Sequence, residues 1–210
     1  MRLAVFASGS GSNFEAIARA IEEDALPARL ALCLSNRPDA GVFERAARFG
    51  VPTETLRLAD FAQEANYTAA LLGLLLRYDV TFIALAGYLR RIPPEVVHAF
   101  SERIVNIHPA LLPAFGGHGM YGRRVHEAAL DYGVRWSGAT VHLVDNDYDT
   151  GPIVLQEPVP VHPDDTPEAL AARVLEAEHL LYPEALRLFA EGRVAVEGRK
   201  VVIREAFIEP

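Results

Sequence analysis

The stretch LAVFASGSGSNF, residues 3–14, sets the architecture of the chain. Leu3 to Ala7 is an apolar run of strand length, continuous as a strand covered on both faces must be. Ser8 to Asn13 then alternates serine and glycine and ends in asparagine. Phe14, Ile17 and Ile21 follow at helical spacing. Strand, glycine loop and helix in that order open a βα unit. Glycine lets the backbone close on a ligand. The start of the helix adds unpaired N–H groups and the positive end of its dipole, so the loop suits an anion such as a phosphate. It lacks the lysine of a P-loop, and Phe14 stands where GxGxxG has its third glycine. A phosphate fits and a dinucleotide is not indicated. The competing reading is a tight turn in which Ser12 or Asn13 caps the helix.

The same alternation continues down the chain. Leu30 to Leu34 reads as a second strand, Gly41 to Phe49 as a second helix, and Thr53 to Leu56 as a short third strand. A helix is expected from about Tyr67 to Arg77. VTFIALAG at 80–87 is a buried strand closed by glycine, Pro93 to Phe100 a short helix, and Ile104 to Ile107 another strand. This pattern predicts an α/β fold: a three-layer, mostly parallel, doubly wound sheet. The second half differs. Phe115 to Gly122 is glycine-rich and expected to be a mobile loop, followed by a helix from Arg123 to Tyr132. Gly138 to Val144 and Ile153 to Val161 flank the turn DNDYDTGP, which predicts an antiparallel hairpin in the C-terminal portion. Thr166 caps and Pro167 begins a helix that runs to about Ala190, bent near Pro183. Val194 to Ile203 closes the chain as a hairpin turning at Glu197-Gly198. Residues 1–210 form a single domain, with a Rossmann-like phosphate-binding half over about 1–100 and a second half over about 101–210.

Composition bounds the function. The chain has 210 residues, 50% hydrophobic and 23% charged, as in a folded globular protein. A net charge of -8 disfavours a nucleic-acid partner. Cys33 is the only cysteine, which excludes an intramolecular disulfide and a multi-cysteine metal site. The apolar run at the amino terminus is too short for a signal peptide, and no apolar stretch is long enough to span a bilayer. A cytoplasmic protein with no membrane partner is expected.

In open α/β sheets the ligand site lies beyond the carboxyl ends of the strands. Three segments reach that edge: Ser8 to Asn13, Gly87 to Ile92, and NIHPALLP at 106–113. Asn106 and His108, two apart on a strand, point to one face. A protonated His108 and the amide of Asn106 make two donors for one developing oxyanion. Pro109 and Pro113 stiffen the exit. A carboxylate would raise the pKa of His108, and the hairpin turn offers Asp145, Asp147 and Asp149. Singly, these residues also fit a capped loop histidine and an ordinary Asp-Thr-Gly turn. The fate of His142 depends on which face of its strand is buried, while His126 and His179 fit surface or capping positions on helices. No HExxH pairing is present, so no metal is expected.

SGSGSN, AGYLRRI at 86–92, NIHPALLP, VHLVDNDYDTGPIVLQ at 141–156 and EAEHLLYPEAL at 176–186 occur in that order. Together they resemble the phosphoribosylglycinamide formyltransferase family over nearly the whole chain. The resemblance implies the formyltransferase fold. It also implies transfer of a formyl group from 10-formyltetrahydrofolate, as co-substrate, to the amine of glycinamide ribonucleotide in purine synthesis, with no metal and no ATP. It implies that Asn106, His108 and Asp149 are catalytic, that Gly11, Ser12 and Asn13 hold the substrate phosphate, and that Glu178 lies near the glycinamide amine. Leu89, Arg90, Arg91, Ile92 and Asn106 would line the folate site, with Asp145, Asn146, Asp147, Tyr148 and Asp149 of the turn. Glu64 stands where the family often has an arginine that contacts folate. GGHGMYGRRVHEA, residues 116–128, is longer than the common proline-glycine form. The implied partners are small molecules, and the chain is expected to be a monomer or a homodimer.

Formyltetrahydrofolate hydrolase and methionyl-tRNA formyltransferase share the triad, but usually carry a further domain before or after it. A chain that opens at its first strand and ends soon after its last hairpin is expected to be neither. Asp149-Thr150-Gly151 also marks aspartic proteases, which need two apposed aspartates in an all-strand fold. A non-catalytic phosphate- or nucleotide-binding module would use the 8–13 loop alone.

Overall fold

The first strand, β1 (Arg2–Phe6), runs through the middle of the sheet because both its faces are apolar. Leu3 and Val5 point into one core, and Ala4 and Phe6 into the other, as the two-residue period of a strand demands. The computed structural model describes residues 1–205. In chain order the elements after β1 are α1 (Ser12–Glu22), β2 (Arg29–Ser35), α2 (Val42–Arg48), β3 (Thr53–Thr55), α3 (Glu64–Arg77), β4 (Phe82–Leu85), α4 (Pro94–Ala99) and β5 (Ile104–His108). Then come α5 (Arg123–Tyr132), β6 (Trp136–Leu143), β7 (Ile153–Pro160), α6 (Pro167–Ala190), β8 (Val194–Glu197) and β9 (Lys200–Ile203).

Seven strands make the main sheet in the order β3-β2-β1-β4-β5-β6-β7. The first five in sequence are parallel, while β6 and β7 run antiparallel to their neighbours. This is the three-layer, doubly wound architecture expected, with the antiparallel portion where DNDYDTGP indicated a hairpin. The chain winds from β1 outward to β3, then returns to β4 on the other side of β1. Such a reversal opens a crevice at the carboxyl edge, between the loops after β1 and β4.

Each face of the sheet has its own core. Phe14 and Ile17 of α1, Val42 of α2 and Leu170, Val174, Tyr182 and Leu186 of α6 pack on one face. Tyr67, Leu71 and Leu75 of α3 and Val96 of α4 cover the other. Burying each such large side chain stabilises the fold by about 1.5–3 kcal/mol. The fully buried Tyr182 also places its hydroxyl 2.9 Å from the carbonyl of Leu85 and 3.1 Å from that of Val105. It thereby ties α6 to the ends of β4 and β5.

Several boundaries differ from the sequence reading. α3 begins at Glu64 and not near Tyr67, after an unforeseen 3-10 turn at Leu58–Asp60. β4 is shorter than 80–86. α6 runs on through Pro183 as one helix, with Thr166 Oγ1 accepting from the Ala169 N–H at 3.2 Å as its cap. The closing hairpin turns at Gly198-Arg199, one residue later than expected, because Glu197 and Lys200 pair directly.

The cap of α1 is the most informative correction. Neither Ser12 nor Asn13 caps the helix. Gly11 occupies the cap position at φ 79°, and among the described residues no side chain caps the free N–H groups. Two constraints require glycine here. The backbone is left-handed, and a Cβ would sit 2.8 Å from Val42 Cα at the start of α2. Gly11→Ala is expected to lower the unfolding free energy by about 2 kcal/mol or more. The check is a urea titration, in which the midpoint falls while the slope stays constant.

Candidate active site

β5 ends at the carboxyl edge of the sheet with Asn106 and His108, and β6 pairs beside it in antiparallel register. Asn106 faces His142, and His108 faces Thr140. Directly opposed residues share a sheet face, so β6 adds a histidine to the pair that β5 provides. The exit from β5 is held by more than its prolines. Thr140 Oγ1 donates to the Ala110 carbonyl at 2.6 Å and accepts from the Leu112 N–H at 3.1 Å. Gln156 of β7 adds a 2.9 Å bond to the Leu112 carbonyl.

The β6–β7 turn leaves β6 near the start of β5, where Leu143 pairs with Val105, and folds back to deliver Asp149. Its backbone is left-handed, φ 57°, a conformation that aspartate tolerates better than most residues. Gly151 two residues later has no room for a side chain, because a Cβ would overlap the Leu143 carbonyl. Although it sits in a turn, the Asp149 side chain is only 12% exposed, between the two strands and the loop that starts at Phe115. One carboxylate oxygen, Oδ2, accepts from the Gly117 N–H at 2.9 Å and lies 3.6 Å from His108 Nδ1. The other, Oδ1, lies 3.5 Å from both Asn106 Nδ2 and His142 Nε2. Burial opposes the charge of Asp149, but His142, His108 and the Gly117 N–H together hold its carboxyl below the usual range.

The charge of His108 also departs from expectation. Burial is the largest influence on its imidazole and pushes the pKa down. Asp149 and the Phe115 carbonyl push it up without restoring it, and His142 lowers it further. Burial outweighs the carboxylate, so His108 is less basic here than a free histidine. Its Nε2 lies 2.9 Å from the Phe115 carbonyl, an acceptor, so Nε2 carries a proton. Phe115 presents that carbonyl from a left-handed backbone at φ 54°, which is unusual for a bulky residue. The glycine-rich loop, expected to be mobile, is thus tied to the site by Phe115, by Gly117, and by His118 packed edge-on against Tyr148.

These groups line one end of a cavity of about 650 Å³. Asn13, Glu178 and four consecutive residues, Leu89, Arg90, Arg91 and Ile92, also line it. So do Asp145, Asp147 and Tyr148. Arg91 donates to the Asn146 carbonyl, which ties the 86–92 segment to the turn. Asn146 is exposed outside the lining. Gly11 caps α1 behind Asn13, and Ser12 borders a separate groove between α1 and α6. Glu64 is exposed at the start of α3 and does not line the cavity. Ser8, from the segment expected at this edge, lines the cavity, and so do Arg37, His126 and His142, to which the sequence assigned no place in the site. For His142 a signal existed: in a strand paired antiparallel to NIHPALLP, its parity can match that of Asn106.

Asn13 and Glu178 form a buried pair. Asn13 Nδ2 donates to Glu178 Oε2 at 2.7 Å, while Asn13 Oδ1 is buried with no partner among the described residues. Burial pushes the Glu178 carboxyl up to about 7, and the Asn13 bond offsets only part of that.

A model of the formyl transferase family matches residues 1–186. The Bacillus subtilis phosphoribosylglycinamide formyltransferase is 39% identical over 89% of this chain and 93% of its own length. The chain belongs to the phosphoribosylglycinamide formyltransferase family. The Arabidopsis thaliana protein of that name, described as chloroplastic, is 45% identical over 92% of this chain. The chain spans 66% of that plant relative's length. Among solved structures, glycinamide ribonucleotide transformylase 1 from Symbiobacterium toebii superposes with a TM-score of 0.92 at 44% identity. That match covers 98% of this chain and 94% of the other. Among the described residues, no helix is long and apolar enough to cross a membrane.

The Asn13–Glu178 pair makes stability depend on pH. The folded carboxyl keeps its proton to about pH 7, whereas its ordinary value is 4.5. Stability from this group is therefore full below pH 4.5 and is lost as the pH rises through about 7. The difference amounts to roughly 3 kcal/mol. Glu178→Gln keeps an acceptor for Asn13 and removes the titration. Unfolding free energies measured between about pH 5 and 8 should fall for the parent protein and stay comparatively flat for the variant.

Proposed function

We propose that the chain transfers the formyl group of 10-formyltetrahydrofolate to the amine of 5-phosphoribosylglycinamide. The products are formylglycinamide ribonucleotide and tetrahydrofolate, in de novo purine biosynthesis. The observation that carries this reading is the convergence of Asn106, His108 and Asp149 in one cavity, in a chain of this family. The cavity volume of about 650 Å³ lies within the range of small-molecule sites.

Leu89, Arg90, Arg91 and Ile92 form the folate wall, together with Asn106 and with Asp145, Asp147, Tyr148 and Asp149 of the turn, while Asn146 supports that wall through its carbonyl bond to Arg91. Glu64 offers no cation to folate. Gly11, Ser12 and Asn13 receive the substrate phosphate, where the uncapped N–H groups of α1 favour negative charge. Glu178 holds the glycinamide end. The amine attacks the formyl carbon, and the resulting alkoxide is held by donors from Asn106 and His108. His108 exchanges the Phe115 carbonyl for the oxyanion. That negative charge then raises the affinity of the ring for a proton and offsets its burial. Asp149 helps move the proton from the attacking amine to the departing folate nitrogen. No step requires a metal ion or ATP. The chain acts on small molecules, as a monomer or homodimer, in the cytoplasm, with no nucleic-acid or membrane partner.

The test combines protein, 10-formyltetrahydrofolate and glycinamide ribonucleotide, and follows folate deformylation. Turnover that depends on the ribonucleotide is expected. Turnover at the same rate without it would make the protein a formyltetrahydrofolate hydrolase. Substrate binding without turnover, unaffected by His108→Ala, would make it a phosphate- or nucleotide-binding module. Asp149→Asn can keep the Gly117 N–H bond but loses the charge between His108 and His142, so kcat should fall by about 100-fold or more. Near-native turnover in that variant would remove Asp149 from the mechanism.

A further inference from the structure

His142 has no part in the mechanism above, although it touches two of its three residues. Its Nδ1 lies 2.9 Å from the Leu143 carbonyl, which can only accept, so Nδ1 carries a proton. In the neutral ring Nε2 is then an acceptor. It takes a bond from Asn106 Nδ2 at 3.0 Å, while the same amide nitrogen points at Asp149 Oδ1 at 3.5 Å. Both amide protons of Asn106 are thus directed into the protein, and its carbonyl oxygen is the end left for the cavity. That is the wrong end for stabilising an oxyanion.

A proton on His142 Nε2 reverses the preference. An Nε2–H cannot face the amide N–H, but it can donate to Asn106 Oδ1. A half-turn of the terminal amide satisfies this bond and sends Nδ2–H into the cavity. We infer that His142 is a positioning residue whose protonation decides which end of Asn106 faces the reacting formyl oxygen. The inference rests on the oxyanion role given to Asn106 above.

The surroundings suit such a switch. Asp149 Oδ1 lies 3.5 Å from Nε2, beside the Asn106 amide. His108 Nδ1 faces the other oxygen of the same carboxylate, Oδ2, at 3.6 Å. The charged ring also compensates the approach of the turned Asn106 oxygen to Asp149. In the neutral state Asn106 is locked with its oxygen toward the cavity, and in the charged state the oxyanion donor is in place.

The decisive measurement uses the unaltered protein labelled with ¹⁵N. The ring nitrogens of His142 and the side-chain amide of Asn106 are followed together as the pH is varied. The Asn106 amide resonances should shift with the same midpoint as the His142 ring. An Asn106 amide that does not respond to that titration overturns the inference. This readout needs no turnover, so it stands or falls separately from the formyl-transfer assay.

A kinetic cycle supplies the second arm. In His142→Gln the side-chain amide replaces Nε2 and does not titrate. That change should lower kcat by about 10- to 100-fold with little change in KM, and remove one limb of the kcat–pH profile. In an Asn106→Ala background the same substitution should have almost no further effect. An equal loss of kcat in both backgrounds would show that His142 acts independently of Asn106, and would likewise overturn the inference.

Discussion

The carboxylate of Asp149 lies 3.5 Å from Asn106 and His142 and 3.6 Å from His108, groups that belong to two strands running in opposite directions. It also accepts the Gly117 N–H at 2.9 Å, which fixes the start of the glycine-rich loop. A partly buried negative charge must find donors or cations, and this one draws on each of its neighbours. The hairpin turn, the end of β5 and the 115–122 loop therefore meet at one point. Moving any one of them leaves a carboxylate without its partners in a site that excludes much of the water.

The β6–β7 turn leaves β6 where Leu143 pairs with Val105, near the start of β5, and folds back to bring Asp149 to Asn106 and His108. The parallel half sets the floor of the cavity, with the loop after β1 and Gly87 to Ile92 at the switch point. The antiparallel half adds its charged lid. α6 joins the two halves through Tyr182, whose hydroxyl meets the carbonyls of Leu85 and Val105.

The electrostatics are coupled in the same way. Burial lowers the basicity of His108 and raises the pKa of the Glu178 carboxyl to about 7, in each case favouring the neutral form. Asp149 alone is pulled toward its charged form against burial, because His142, His108 and a backbone N–H surround it. Asp149 thus stands charged beside groups whose protons can move, which suits a reaction in which a proton must leave one nitrogen and reach another.

Much of this was legible in the residues themselves. The apolar run at Leu3 to Ala7, the glycine loop and the helix at Phe14 establish the α/β class, because periodicity is a local property of the chain. The pairing of Asn106 with His108 on one face follows from strand geometry alone. The position of His142 does not, because it depends on the register of an antiparallel pair joined across 36 residues of sequence. The burial of Asp149, and the burial that lowers the basicity of His108, were equally out of reach. Solvent exclusion is a property of everything packed around a group, and no neighbour in the sequence reports it. The cap of α1 shows the same division. The sequence supplied serine, asparagine and glycine as candidates, and the close approach of Val42 in the folded chain left room for glycine alone.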